Sequence, residues 1–204
     1  MNTSPKPVED PEPPVQLHVH AMDNLRFIRE TMERSTAFTA VPGWGTVASG
    51  MIGLLGAFAA SQTDTPRAWF LVWMATAACG FTSGAGAMVL KAHTIGEPIF
   101  SGPGRRFALG MLPTLLAAVA LTVGLYNFDL NYLMPATWLL LYGAAIVTGG
   151  AHSVKVVPLM GLSMMVLGIG TLSAPPAWGD AFMACGFGVV HIIFGIIIAR
   201  KHGG

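Results

Sequence analysis

Charged side chains are scarce in this chain of 204 residues: Asp, Glu, Lys and Arg make up 10% of it, whereas 53% of the residues are apolar. A soluble domain typically carries about 25% charged residues. The formal net charge of +1 excludes a polybasic chain, so we expect no direct binding to nucleic acid. The 25 Gly and 14 Pro follow no short period, which excludes a collagen-like chain. These absences leave an integral membrane protein.

Catalytic and redox motifs are also missing. The sequence contains no phosphate-binding Gly-rich signature, no zinc-protease His-Glu-x-x-His and no Gly-x-Ser-x-Gly nucleophile elbow. Its two cysteines, Cys79 and Cys185, have no Cys-x-x-Cys spacing and are interpreted as small packing residues. We therefore predict no catalytic residue.

Long apolar runs, in contrast, are abundant. About 20 helical residues are needed to cross the hydrocarbon core of a bilayer. Six runs of roughly that length are bounded by charged, Pro or aromatic residues. They cover Trp44–Ala60, Ala68–Leu90, Phe107–Tyr126, Pro135–Ala151, Val156–Ser173 and Trp178–Ala199. The sequence thus predicts an all-α membrane protein whose residues 39–204 form a six-transmembrane-helix bundle.

The distribution of basic residues predicts the orientation of the bundle, because positively charged loops stay on the cytoplasmic side. If both termini are cytoplasmic, ten of the 11 Lys and Arg residues lie on that side and only Arg67 lies outside. The ten are Lys6, Arg26, Arg29, Arg34, Lys91, Arg105, Arg106, Lys155, Arg200 and Lys201. Trp69, Trp138 and Trp178 begin the second, fourth and sixth predicted helices, where indole rings favour the outer headgroup level. We expect a bacterial cytoplasmic membrane protein with both termini inside.

The chain ahead of the bundle divides into two segments. Residues 1–18 are expected to form a disordered tail, because Pro is frequent there among charged residues. Residues 19–38 are predicted to form a short amphipathic cytoplasmic helix, since Met22, Leu25, Ile28 and Met32 recur at helical spacing. The charges of this helix cancel, unlike those of a basic helix that binds a membrane surface. Its candidate partner-binding residues are Leu25, Arg26, Ile28, Arg29, Glu30 and Glu33.

The six helices can be read as three helical-hairpin repeats. The second helix of each pair begins with a Trp, and the stretch Ala78–Phe81 of the second helix recurs as Ala184–Phe187 in the sixth. Such a repeat would give the bundle pseudo-threefold character.

Histidines are the candidate ligands of a cofactor. His191 lies well inside the sixth predicted helix, and His93 and His152 lie near the cytoplasmic ends of the second and fourth. All three could meet on one face and hold haem or a metal, because imidazole is a common metal ligand. Alternatively, His191 donates to a carbonyl of a neighbouring helix and the other two lie at the interface, since no His-x-x-x-His spacing links a pair. We predict no cofactor and keep haem or a metal as the alternative.

Two stretches, Asp23–Arg34 and Phe38–Gly45, resemble the opening of a family of small uncharacterised bacterial inner-membrane proteins. The resemblance covers a small part of the chain. It implies a membrane location and a winged-helix transcription regulator as a partner, and it implies no activity and no catalytic residue.

Three functions are compatible with these features. The one we expect is a binding, regulatory or sensory membrane module that engages a cytoplasmic protein through the amphipathic helix. The second is a small-solute transporter or channel, in the form of a homo-oligomer, that uses Gly-rich and Pro-interrupted helices. The third is a redox subunit with haem or quinone, in which His191 acts with His93 or His152. The lack of charged residues in the middle of every predicted helix argues against ion-coupled pumping.

Overall fold

The computed structural model describes residues 22–28, 32, 38, 40–96 and 102–202. The chain forms two compact units, Met1–Thr36 and Ala37–Gly204. In the first unit, residues 22–28 are helical, as predicted. The predicted tail of residues 1–18 lies outside the described residues, and so do the candidate partner-binding residues Arg29, Glu30 and Glu33.

Within the described part of the second unit, six helical spans are long and apolar enough to cross a membrane, which confirms the predicted number. The first five are α1 (Gly43–Ala60), α2 (Pro66–Ile95), α3 (Gly102–Asn127), α4 (Met134–Gly150) and α5 (Val156–Ser173). The sixth span, Pro176–His202, is composite. It contains α6 (Gly179–Met183), a π-helical segment (Ala184–Val190) and α7 (His191–His202). The protein is therefore a helical, multi-pass membrane protein.

The helix ends follow from local sequence. Thr65 precedes α2, where its hydroxyl accepts a hydrogen bond from the Ala68 N–H and Pro66 occupies the first turn. Gly96 ends α2 in the left-handed region at φ 68°, which glycine adopts without strain. The helix continues beyond the predicted Leu90 because polar residues can extend a helix past the apolar layer that the prediction detects.

Helices α2 and α3 lie at the periphery of the bundle. Helix α1 packs along α2 and along the sixth span, while α4 packs along α5 and α3 packs along α4. The protein buries only 6% of the most apolar window of α2 and of α3, compared with 39% for α1 and 50% for the span that contains α4. Leu139, Met164, Met183 and Ile198, each at most 1% exposed, form the centre of the core. The core thus lies between α1, α4, α5 and the sixth span.

Close backbone contacts join α4 to α5. A Cβ atom added at Gly143 would lie 2.7 Å from the Gly161 carbonyl oxygen, and one at Gly161 would lie 2.6 Å from the Gly143 carbonyl oxygen. Small residues permit such approach in a membrane, where packing replaces the hydrophobic drive between helices. Gly143 and Gly161 therefore set the separation of these two helices.

Phe38 fixes the start of the second unit to the turn between α4 and α5. Its N–H donates to the His152 carbonyl at 2.8 Å, and the Ser153 hydroxyl donates to the Phe38 carbonyl at 2.7 Å. Its ring also packs on Phe107 of α3 with 5.1 Å between centroids. We call the end of the bundle at which Phe38, Phe107 and the turn between α4 and α5 meet the terminal end.

Lys91 of α2 joins its own helix to two further segments at the terminal end. Its Nζ donates to the Val41 carbonyl at 3.0 Å and to the His202 carbonyl at 3.1 Å. Because His202 ends α7 and Val41 precedes α1, this one ammonium group connects α2, the chain leading into α1 and the end of the sixth span.

The two recurring tetrapeptides adopt different helical geometries. Ala78–Phe81 belongs to the α-helix α2, whereas Ala184–Phe187 lies in the π-helical segment. Both cysteines within these stretches are free and exposed, so the interpretation of Cys79 and Cys185 as packing residues is wrong. Gly186, beside Cys185, is buried, whereas a Cβ atom added at Gly80, beside Cys79, would meet nothing within 4 Å.

Candidate functional site

His191 is the one buried polar side chain among the described residues, at 4% exposed. Its Nδ1 lies 2.9 Å from the Gly186 carbonyl oxygen, and its Nε2 lies 3.1 Å from the Tyr142 hydroxyl of α4. A carbonyl only accepts, so Nδ1 carries a proton; in the neutral ring Nε2 then accepts the hydroxyl proton of Tyr142. Both ring nitrogens of His191 are therefore engaged.

One further ring, that of Phe187, packs beside these hydrogen-bonded residues. Phe187 lies 5.3 Å from Tyr142 and 6.0 Å from His191, and Tyr142 lies 5.6 Å from His191, all between ring centroids. We call Tyr142, Gly186, Phe187 and His191 the His191 site. It joins α4 to the sixth span through one hydrogen bond and two ring contacts, those of Tyr142 with Phe187 and with His191.

The π-helical segment positions the His191 site. A π-helix has wider turns than an α-helix, with hydrogen bonds from residue i to i+5. The Nδ1 of His191 bonds the carbonyl five residues earlier, while the His191 backbone N–H donates to the Gly188 carbonyl. The side chain thus supplies a donor for a backbone carbonyl within the segment.

Helix α1 is shaped to fit the π-helical segment. A Cβ atom added at Gly53 would lie 2.4 Å from the Phe187 carbonyl oxygen, and one at Gly50 would lie 2.8 Å from the Gly188 carbonyl oxygen. Only glycine leaves room for these carbonyls at such a distance. The glycines of α1 and the carbonyls of the segment therefore form one interface.

The other two candidate histidines lie elsewhere in the bundle. His93 is exposed near the end of α2, and His152 is exposed in the turn after α4. Within the part of the chain that the structure describes, no three His, Cys, Asp or Glu side chains are grouped so that they could hold a metal ion. The expected bond of His191 to a carbonyl is present, but that carbonyl belongs to its own span rather than to a neighbouring helix.

A second polar cluster lies at the opposite end of the bundle. Asp180 Oδ1 accepts hydrogen bonds from Trp69 Nε1 at 2.8 Å and Trp73 Nε1 at 3.0 Å. Trp69 stacks on Trp138 with 5.8 Å between centroids and 5° between ring planes. Trp138 Nε1 donates in turn to the Thr122 hydroxyl at 2.8 Å. We call these five residues the Trp–Asp cluster; it connects α2, α3, α4 and α6.

The sequence predicts neither Tyr142 nor the role of Asp180. It predicts Trp69 and Trp138 at the headgroup level, whereas in the structure their indole N–H groups donate to Asp180 and Thr122 of other helices. Trp178, which is 59% exposed, faces outward as an anchor would. The sequence contains one signal for this cluster, the number of indole N–H donors at one end of the bundle. Each buried indole N–H needs a hydrogen-bond acceptor, and Asp180 is the nearby carboxylate.

The helical segment 22–28 carries the described part of the predicted partner-binding surface. Met22, Leu25 and Ile28 are 57%, 62% and 52% exposed. Phe27, on another side of the segment, is 70% exposed. Arg26 is exposed as well. The segment therefore presents apolar side chains that its own unit does not cover.

No known protein family, no curated protein and no solved structure matches the chain.

Proposed function

We propose that this chain is a regulatory or sensory membrane module that engages a cytoplasmic protein through the helical segment 22–28. The observation that carries the proposal is the exposure of Met22, Leu25 and Ile28, each more than half exposed. Residues at this spacing share one face of a helix. A contiguous exposed apolar surface marks an interaction site.

Charge favours a protein partner over the membrane surface. Asp23 and Arg26 cancel within the described segment, and the sequence that continues the predicted helix adds both signs. Helices that lie in a membrane interface are rich in Lys and Arg on the polar face. A soluble protein with an apolar groove matches a narrow apolar stripe of this kind. The resemblance at Asp23–Arg34 suggests a winged-helix transcription regulator, which would itself bind the nucleic acid.

The same proposal places the segment inside a bacterial cell, with both termini on the cytoplasmic side of the cytoplasmic membrane. It is supported by the basic residues of the second unit. Only Arg67 lies at the end with the Trp–Asp cluster, whereas the others lie at the terminal end: Lys91, Arg105, Arg106, Lys155, Arg200 and Lys201. Positively charged loops remain cytoplasmic.

The test compares three full-length proteins, purified in mild detergent after cross-linking in cells. The variant Leu25→Asp/Ile28→Asp disrupts the apolar stripe, and Phe27→Asp introduces the same acid on another side of the helix. We expect the wild type and Phe27→Asp to retain the same DNA-binding regulator and the double variant to lose it, with equal membrane insertion of all three. Equal retention by all three, or by none, would contradict the proposal.

One observation favours the transporter as a second candidate: the sixth span is interrupted by a π-helical segment beside the buried His191. Irregular helices at membrane depth are characteristic of transport pathways. Vesicles containing the protein, as a monomer or homo-oligomer, would then move a small solute faster than empty vesicles do. Absence of flux across a broad panel of solutes would remove this candidate.

The haem alternative would require Nε2 of His191 to leave the Tyr142 hydroxyl. A difference spectrum of reduced minus oxidised membranes tests it directly, because a haem gives cytochrome bands. A spectrum without such bands from membranes rich in the protein would end the haem alternative.

A further inference from the structure

We propose that the sixth span contains a conformational hinge, the π-helical segment Ala184–Val190, and that the His191 side chain holds it by bridging the Gly186 carbonyl and the Tyr142 hydroxyl. This inference concerns the bundle alone. It does not depend on a partner for the helical segment 22–28, so either proposal can fail without the other.

A π-helical segment contains one residue more than an α-helix of the same number of turns. Such segments are rare and concentrate at functional sites. If the segment became α-helical, the residues after it would rotate by about 100° and shift by about 1.5 Å relative to the residues before it. The sixth span thus has two defined registers, π and α, that differ by one residue.

The bonds of His191 favour the π register. Its Nδ1 donates to Gly186 across the segment, five residues back, and its Nε2 is held by Tyr142 of α4. Rotation of α7 would carry the imidazole away from Tyr142 and leave a buried acceptor without its donor. A buried polar group that loses its partner is strongly disfavoured.

The interface with α1 provides independent support. Gly50 and Gly53 lie where the carbonyls of Gly188 and Phe187 approach α1 most closely. Because the α register would redirect these carbonyls, the glycine pair fits the π register specifically. The segment is therefore matched to its neighbour on one side and held by His191 on the other.

Both sides of the hinge are anchored. Asp180 of α6 is bonded to Trp69 and Trp73, and the His202 carbonyl at the end of α7 is bonded to Lys91. Lys91 also donates to Val41, so rotation of α7 would act on the chain that leads into α1. A change of register within the membrane would thereby reach the terminal end of the bundle.

The experiment measures the rotation of the two halves relative to each other. Single nitroxide labels are placed at residues 179–183 and 192–199 in a full-length chain carrying Cys79→Ala and Cys185→Ala, and collision with oxygen reports which positions face lipid. In the wild type, oxygen access should be high at Ile193, which is exposed, and low at Gly195 and Ile198, which are buried.

The variant His191→Phe keeps an aromatic ring but removes both hydrogen bonds. In this variant we expect the pattern of oxygen access along α7 to shift by one residue relative to the pattern along α6, which is a phase change of about 100°. His191→Asn retains a donor near the Nδ1 position and should preserve the wild-type phase. Tyr142→Phe should give a partial shift, and Tyr132→Phe none. The proposal would be overturned if the oxygen-access pattern kept its wild-type phase in Tyr142→Phe while His191→Phe either kept that phase too or failed to fold.

Discussion

Polar side chains inside the described bundle bond mostly to backbone carbonyls, and they bond to one another in the Trp–Asp cluster and between Tyr142 and His191. Among the described residues, Asn131 Oδ1 is the one buried side-chain oxygen or nitrogen without a hydrogen-bond partner. The indole of Trp73, which is 3% exposed, depends on Asp180, and the imidazole of His191 depends on Tyr142 and Gly186. Removal of one partner from such a pair leaves a buried donor or acceptor that water cannot reach.

Asp180→Ala should lower the free energy of unfolding by about 2–4 kcal/mol, because the indoles of Trp69 and Trp73 lose their common acceptor. Asp180→Asn keeps one carbonyl oxygen and should cost only about 1 kcal/mol, the difference between charge-assisted and neutral hydrogen bonds. Unfolding by SDS in mixed micelles, followed by tryptophan emission, measures both losses.

Asp129→Asn is the matched control for the Trp–Asp cluster. Asp129 is exposed at the same end of the bundle and has a φ of 56°, a conformation that Asn tolerates. The control should change the free energy of unfolding by less than about 0.5 kcal/mol. A loss in Asp129→Asn as large as that in Asp180→Ala would show that the cluster adds no stability of its own.

Tyr142→Phe removes only the hydroxyl that donates to His191 Nε2 and should cost about 1–3 kcal/mol, because a buried acceptor remains. Tyr132→Phe makes the same chemical change at a side chain that is 56% exposed and should be nearly neutral. Thermal unfolding in detergent compares the two. Equal midpoints for Tyr142→Phe and the wild type would mean that the hydroxyl contributes nothing to folding.

Close contact between α1 and the π-helical segment determines the packing of these elements. Gly53→Ala would place a methyl group 2.4 Å from the Phe187 carbonyl oxygen, so the helices must separate. Overpacking of this kind costs about 1–3 kcal/mol. Gly80→Ala is the control on α2, since a Cβ there has no neighbour within 4 Å. It should be neutral or stabilising by up to about 1 kcal/mol, the difference in helix propensity.

The same unfolding assay in SDS distinguishes the two glycines. A destabilised Gly53→Ala with an intact Gly80→Ala supports the close approach. Equal stability of both variants would place α1 farther from the sixth span than the structure does.

The elements differ in how far sequence alone predicts them. Apolar runs identify all six spans because burial in lipid requires continuous apolar side chains. The ends are less accurate: α3 begins at Gly102 rather than the predicted Phe107, because its first turn is polar. The sequence does not predict the π-helical segment. One extra residue would be visible only as a break in a periodic pattern of apolar and polar residues, and this span is apolar on all sides. Tyr142 and His191 are 49 residues apart, so only packing of α4 on the sixth span reveals the pair.

The whole molecule is expected to thread the membrane with both termini on the cytoplasmic side. Loops between α1 and α2, between α3 and α4 and between α5 and α6 lie at the end with the Trp–Asp cluster. This end of the second unit holds Arg67 as its basic residue, whereas Lys and Arg accumulate at the terminal end. Because basic loops are retained in the cytoplasm, the charge difference favours the expected orientation.

Cysteine labelling in intact cells tests this orientation. Single cysteines replace Gln62, Asp129 and Ala177 at one end and His93, His152 and His202 at the other, in a chain carrying Cys79→Ala and Cys185→Ala. A membrane-impermeant maleimide should label the first three in intact cells and the other three only after permeabilisation, because the reagent cannot cross the bilayer. The reverse pattern would place the helical segment 22–28 outside the cell and remove any cytoplasmic partner, whereas mixed labelling within either set would contradict the six-span path itself.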